Sequence, residues 1–271
     1  MSTRSAPTPL SVDRRVKDRV DLMGVAVDPL TLVETCDAFR EFIMRRAQAL
    51  AVSVNVDTWI QLRRDEAFRS TVAAADLVLV DGTPLVWVAR VLGAPLPGRV
   101  SGSDFLPLFC EVAAREGYHV FLFGANPGVA DRAGDVLRAR HPGLTVSTYS
   151  PPFWFERDDA ENRRAIDAVR RAKPDVLFVA LPQPRQENWL ARHREDLDVP
   201  VSMGVGSAFD FVAGRLKRAP VWMQRAGLEW SYRLMQEPGR LWKRYLLDDS
   251  RIVYHAACGL LRRNRTRNRA T

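Results

Sequence analysis

The sequence predicts an α/β fold: a mainly parallel sheet with helices on both faces, joined to a basic helical C-terminal appendage. Short β-branched and aliphatic runs alternate with amphipathic stretches of helical period, which is the signature of strand–helix–strand units. The strand runs are apolar on both faces, so layers of helix must cover the sheet on either side. Positive charge is confined to one end of the chain. Residues 215–271 hold 14 Lys/Arg against 4 Asp/Glu, whereas residues 1–214 hold 26 against 28.

Taken in order, residues 1–20 are polar and lack the apolar stretch of a secretory signal; they read as a disordered arm. Strands are expected over 22–27, 51–54 and 77–80, with amphipathic helices over 32–47 and 58–70 between them. A helix over 104–116 leads to a strand over 119–123. A helix over 129–140 leads to another strand, over 144–149. The next helix, 160–173, opens with Asp158 and Glu161 at capping-pair spacing. Strands over 176–180 and 201–205 complete the set. Residues 21–214 thus form a Rossmann-like core. Pro238 divides 215–257 into at least two helices, and 258–271, with Arg262, Arg263, Arg265, Arg267 and Arg269, reads as a flexible basic tail.

Composition narrows the class. With 271 residues, 46% hydrophobic and 27% charged, the chain is an ordinary globular protein with a substantial core. Cys36, Cys110 and Cys258 form no C-x-x-C pair and read as reduced packing residues of a cytoplasmic protein. No apolar run reaches the ~18 residues that a membrane span needs; residues 252–261 are too short and include His255. If the protein meets a membrane, it lies on the surface. Trp222, Trp230 and Trp242, with Tyr232, Tyr245 and Tyr254, stand inside the basic segment. Cations beside amphipathic aromatics suit a phosphate-bearing partner or a membrane interface; the same tryptophans also suit plain helix packing.

In a parallel sheet ligands bind beyond the carboxyl ends of the strands, so the residues just after each strand are the ones to read for chemistry. Asp81 follows the 77–80 run. It can serve as a partly desolvated general base, or it can cap the next helix. Ser53 and Asn55 alternate on one strand face and can bind sugar hydroxyls, or Asn55 can cap a helix. Arg99, with Asp104 to orient it, can hold phosphate or form a loop ion pair. Gly124, Asn126 and Gly128 can cradle a phosphate at a helix start or simply make a turn; they do not form G-x-G-x-x-G. Asp196-Leu197-Asp198 matches D-x-D but precedes a strand, at the opposite edge. His119, His141, His193 and His255 lack metal-ligand spacing. No metal site and no cofactor is expected.

The motifs together resemble one family. Gly204-Val205-Gly206-Ser207-Ala208-Phe209-Asp210-Phe211-Val212-Ala213-Gly214-Arg215-Leu216-Lys217-Arg218-Ala219-Pro220, then Gly227-Leu228-Glu229-Trp230-Ser231-Tyr232-Arg233-Leu234, is similar to the C-terminal signature of the WecG/TagA/CpsF glycosyltransferases, glycosyltransferase family 26. Gln183-Pro184-Arg185-Gln186-Glu187-Asn188-Trp189 resembles its P-K-Q-E-x-W motif with Arg185 for Lys. Asp81-Gly82-Thr83-Pro84 and Ser53-Val54-Asn55 resemble its D-G-x-x and T-x-N motifs.

The resemblance implies an inverting, metal-independent transferase. It would move a sugar from a UDP-sugar to a polyprenyl-diphosphate-linked saccharide, peripherally on the cytoplasmic face of a bacterial membrane, in the synthesis of cell-envelope polymers or exopolysaccharide. N-acetylmannosamine, its uronic acid and glucose are all open as the sugar. The resemblance makes Asp81 the base and gives the appendage cations Arg233, Arg240 and Lys243 catalytic places, with Arg244 an alternative to Lys243. Ser53, Asn55, Arg99, Asp104 and Gln186 would bind substrate, and Gly124, Asn126 and Gly128 the nucleotide. An anionic membrane surface is expected to engage the appendage, and nucleic acid is not an expected partner. A rival from another class is a nucleic-acid-binding protein with a Rossmann-like body, resting on the basic tail. A nucleotide-cofactor oxidoreductase is disfavoured by the missing glycine fingerprint.

Overall fold

The computed structural model describes residues 19–94 and 96–243. The first expected strand is instead a hairpin, β1 (Val20–Leu22) and β2 (Val25–Val27), paired antiparallel with Val20 opposite Val27. Met23 and Gly24 turn it with φ of 52° and 89°, the double left-handed geometry that two-residue hairpins favour. Val20, assigned to the arm, is therefore part of the fold, and so is Arg19. The Arg19 guanidinium pairs with the buried Asp28 at 3.2 Å and donates to the carbonyls of Ala75 and Asp76. Asp28 in turn exchanges two 2.7 Å hydrogen bonds with the backbone of Val78. The hairpin is fastened in this way to an outer strand of the main sheet, which would otherwise be an open edge.

The remaining elements follow the predicted alternation. They are α1 (Leu32–Arg45), β3 (Ala49–Val54), α2 (Val56–Leu62), α3 (Glu66–Ala73), β4 (Leu77–Val80), α4 (Thr83–Val91), α5 (Gly102–Glu116) and β5 (His119–Gly124). Next come α6 (Val129–Arg140), β6 (Thr145–Tyr149), α7 (Asp159–Ala172), β7 (Val176–Ala180), α8 (Arg185–Arg192), α9 (Arg194–Leu197), β8 (Val201–Gly204) and α10 (Ala208–Val212). The appendage supplies α11 (Val221–Arg225), α12 (Glu229–Gln236) and α13 (Pro238–Lys243). The helix expected over 58–70 is two helices, because Asp65 accepts from the Phe68 amide and caps a new start. Asp158 caps α7 through the amides of Ala160 and Glu161. The complete reciprocal capping box is Thr31 with Glu34, at the start of α1.

β3–β8 form a six-stranded, wholly parallel sheet in the order β4-β3-β8-β7-β5-β6. Alternate residues feed two cores. Ala51, Leu79, Phe178 and Met203 pack with Phe39, Phe105 and Phe109 from α1 and α5. Val52, Val80, Val179 and Phe123 pack on the other face with Trp59, Phe68 and Trp189 from α2, α3 and α8. This is the period-2 division expected of a sheet covered twice. Cys36 and Cys110 are buried free thiols whose pKa burial pushes up to about 12; they are packing residues. Cys258 lies outside the described residues.

Phe178 is fully buried and meets Phe39, Phe105 and Phe109 at centroid distances of 6.4, 6.2 and 6.1 Å. Phe178→Ala is expected to lower unfolding free energy by about 3–5 kcal/mol, read as a reduced denaturant midpoint at unchanged slope.

Candidate functional site

Parallel strands bring all their carboxyl ends to one edge. β4 closes with the Asp81 amide donating to the Val54 carbonyl at 2.8 Å. Gly82, at φ 102°, is the N-cap of α4 and receives no side-chain cap bond, so Asp81 is not a helix cap. Instead, the chain returns across the end of β4. The Val100 amide donates to the Val80 carbonyl at 2.7 Å, which sets Arg99 and Ser101 beside Asp81. Burial raises the Asp81 pKa to about 6, against the lowering pull of Arg99; Glu229 raises it further, while a hydrogen bond from Ser101 and the charge of Arg233 hold it back. A carboxylate in that range changes protonation near neutral pH, as a general base must.

Arg99 and Asp104 are together as predicted, at 3.2 Å, but they do not stand alone. Arg99 also donates to Glu229 at 2.8 Å and reaches Gln224 at 3.4 Å. Arg218 meets the same groups, at 3.0 Å from Asp104, from Glu229 and from Gln224. Residues 218, 224 and 229 all belong to the appendage, which therefore docks on the loop that carries Arg99. One helical turn beyond Glu229, Arg233 donates to the Ser207 hydroxyl at 3.0 Å and sits over the Phe211 ring at 5.7 Å. Its Nε is buried with no hydrogen-bond partner among the described residues. Arg240 and Lys243 fall on α13, where the backbone alone places them. Arg244 lies outside the described residues.

On the neighbouring strands the amides brace one another. Asn55 Oδ1 accepts from the Thr58 amide at 2.9 Å and caps α2, so the capping role is realised. Ser53 is buried. The Thr58 hydroxyl lies 3.1 Å from Asn55 and 2.9 Å from Gln183. Gln183 and Gln186 each donate to Glu187 Oε1 at 2.8 Å. Gln186 Oε1 accepts from the amides of Leu181 and Gly206, at 3.3 and 3.2 Å. Gln186 fills the space beside Gly204, where a Cβ would come within 2.4 Å of its Nε2. It ties the ends of β7 and β8 together and does not present itself to a ligand. Burial raises the pKa of Glu187, against the lowering hydrogen bonds from Gln186 and Gln183. Arg185 replaces the family lysine with a two-pronged pairing onto Glu156 and lies 4.1 Å over the Trp154 ring, a geometry lysine cannot reproduce.

Gly124, Asn126 and Gly128 form a strand-to-helix turn. A Cβ on Gly124 would lie 2.7 Å from the Ala180 carbonyl, so only glycine allows β5 and β7 to close there. Gly128 is the N-cap of α6, and Asn126 is exposed. Four strand spacings separate β5 from β4, or about 19 Å. The edge thus carries two clusters: Asp81, Arg99, Asp104 and Arg233 at the β4 side, and the glycine turn at the β5 side. Asp196 lies on α9 and faces His193, and Asp198 caps the end of that helix before β8 and faces Arg46. Among the described residues no group of three or more His, Cys, Asp or Glu is arranged to hold a metal ion.

Sequence reading assigned no role to Arg218, Gln224 or Glu229. One signal was available: Glu229 is one of four acidic residues in a strongly basic segment. Its contact with Arg99 spans 130 positions, which no local pattern reports.

A family model described as the glycosyl transferase WecG/TagA/CpsF family matches residues 20–267. Curated relatives agree. An N-acetylglucosaminyldiphosphoundecaprenol N-acetyl-beta-D-mannosaminyltransferase from Bacillus spizizenii is 30% identical over 198 residues, 73% of this chain and 75% of its own length. The enzyme of the same name from Bacillus subtilis is 30% identical over 207 residues, covering 76% and 78%. One from Staphylococcus aureus is 27% identical over 228 residues, covering 83% and 86%. A match across nearly the whole chain, on a parallel α/β sheet whose strand ends carry the family's motifs, establishes that this glycosyltransferase belongs to the WecG/TagA/CpsF family.

Proposed function

We propose that this chain transfers an N-acetylmannosamine-type sugar from a UDP-sugar to a polyprenyl-diphosphate-linked saccharide in one inverting displacement. The observation that carries the reading is the pairing of a pKa-raised Asp81 with a buried, unspent donor on Arg233. The acceptor hydroxyl oxygen attacks the anomeric carbon while its proton passes to Asp81. The bond from that carbon to the UDP oxygen breaks, and UDP leaves with the electron pair from the opposite face. Charge grows on the diphosphate as it departs. Arg233 supplies a preorganised cation for it, with Arg240 and Lys243 following on α13. These side-chain cations take the part that a divalent ion plays in other transferases. Asn55 and Ser53, one strand over from Asp81, line the sugar side. Gly124, Asn126 and Gly128 serve a nucleotide only if the donor lies extended along the edge. The activities for which the relatives are named favour N-acetylmannosamine over its uronic acid or glucose, and N-acetylglucosaminyl-diphosphoundecaprenol as acceptor.

A lipid-linked acceptor calls for a membrane-facing surface. Among the described residues no helix is long and apolar enough to cross a bilayer. The appendage tryptophans are not packed inside: Trp222 is 64% exposed, and Trp230, Trp242, Val221 and Met235 are exposed with it. Trp87 and Val91 on α4 are exposed as well. The Trp87 ring lies against Gly227, so this helix joins the same face. Interfacial aromatics beside excess cations match an anionic membrane surface on the cytoplasmic side.

Asp81→Asn is expected to lower kcat by about 10²–10⁴-fold with little change in UDP affinity. In the native enzyme the base is competent only when ionised. Turnover should therefore fall as pH drops through about 6, and this limb should vanish in the variant. Activity should persist in EDTA. Comparable turnover in Asp81→Asn would remove Asp81 from the role of base. For the membrane surface, the full chain is expected to sediment with vesicles containing anionic lipid and less with zwitterionic ones. Trp222→Ala should weaken that binding by several-fold. Equal sedimentation with both vesicle types would contradict an electrostatic docking face.

A further inference from the structure

Four side chains close a ring of alternating charge at the seam between the sheet domain and the appendage. Arg99 Nη1 donates to Glu229 Oε2 at 2.8 Å, and Arg218 Nε donates to Glu229 Oε1 at 3.0 Å. Arg218 Nη2 meets Asp104 Oδ1 at 3.0 Å, and Arg99 Nη2 meets Asp104 Oδ2 at 3.2 Å. Each carboxylate thus gives its two oxygens to two different arginines, and Gln224 Oε1 accepts from both. All four ring members are mostly shielded, between 18% and 28% exposed. Isolated surface ion pairs contribute little, but a shielded, multiply bonded network holds geometry.

The ring's members come from both bodies. Arg99 and Asp104 belong to the loop after α4 and the first turn of α5; Arg218, Gln224 and Glu229 belong to the appendage. Glu229 is the first residue of α12, and Arg233 is four residues on, so both lie on one helix face. The far end of α12 has a separate tie, since Gln236 exchanges two hydrogen bonds with the backbone of Lys217. The ring fastens only the end that aims Arg233.

We propose that Glu229 is a positioning residue for transfer: shared by Arg99 and Arg218, its carboxylate pins the start of α12 to the core and so stations Arg233 beside Asp81. This rests on the reading of Asp81 as base and Arg233 as the diphosphate cation. The groups that act on Asp81 are Arg99 and Ser101 from the loop after α4, and Glu229 and Arg233 from α12. Removing the Glu229 charge therefore reaches Asp81 as well as the tether.

The test compares the full-length native chain with Glu229→Gln and Arg218→Gln. It measures kcat and KM along the acid limb, and hydrogen exchange of the α12 amides. Glu229→Gln removes an anion near Asp81, so its acid limb should move to lower pH. Arg218 is not among the groups that act on Asp81, so Arg218→Gln should leave the limb close to its native position. Both should lose on the order of 10–100-fold in kcat through misplaced Arg233. In both, α12 should exchange faster while the sheet strands stay protected. Unchanged α12 exchange in both variants, or a Glu229→Gln limb displaced to higher pH, would overturn the proposal. Loosened α12 with unaltered turnover would overturn it too, since Arg233 would then need no station. If Asp81→Asn stays active while α12 loosens in the ring variants, the reading of Asp81 as base fails and the tether itself stands. Glu229→Gln is nearly isosteric; should it fail to fold, Arg218→Gln carries the exchange and turnover readouts alone.

Discussion

A carboxylate at the end of a buried parallel strand is the constraint around which this site is organised. β4 is apolar along its whole length and covered on both faces, so whatever follows it emerges from a low-dielectric layer. Asp81 emerges there. Its ionised form is disfavoured by burial and has to be compensated by nearby donors and cations. Too little compensation would leave the group protonated and unable to serve as the proposed base. Too much would return it to ordinary acidity, with less pull on a hydroxyl proton. The native balance is two arginines and a serine hydroxyl against burial and one neighbouring glutamate.

That balance divides the labour between two parts of the chain. The sheet domain provides a rigid edge, stiffened by the amides of Asn55, Gln183 and Gln186, which knit three strand ends together. The appendage provides cations. Arg233 stands at the edge on α12, and the seat of that helix is made of charges whose sum is zero. A neutral ring fastens the appendage without adding to or cancelling the positive field that the diphosphate would meet. The excess charge of the segment stays available for the surface that carries Trp222 and Trp230.

The fold was largely legible because its signals are local. Uniformly apolar runs such as residues 77–80 and 176–180 are strands at the predicted bounds, and residues 129–140 form the predicted helix. Errors arose where one residue changed the local geometry. Met23-Gly24 folded a strand into a hairpin, and Asp65 started a second helix where a continuous one was expected. Among site residues, Asp81 and the Arg99–Asp104 pair stand where they were sought. Gln186 and Asn55 were expected to bind substrate, yet the oxygens of both accept internal hydrogen bonds. A polar side chain at a strand end reads the same whether it faces a ligand or a neighbouring amide, and only packing distinguishes the two.

The sequence by itself determined the layered parallel fold, the edge proposed for the chemistry, and the confinement of positive charge to the appendage. Period, apolarity and charge are properties of consecutive residues and need no knowledge of distant contacts. Only the tertiary structure decided which side of that edge is charged, because Asp81 and Arg99 draw partners from residues 218–233, more than a hundred positions away, in addition to their neighbours Ser101 and Asp104. It also decided that Glu229, an acid in a basic segment, is the residue at which the two halves meet. The physical reason is range: Coulombic pairing acts through space at a few ångströms, and chain separation carries no trace of it until the fold brings the charges together.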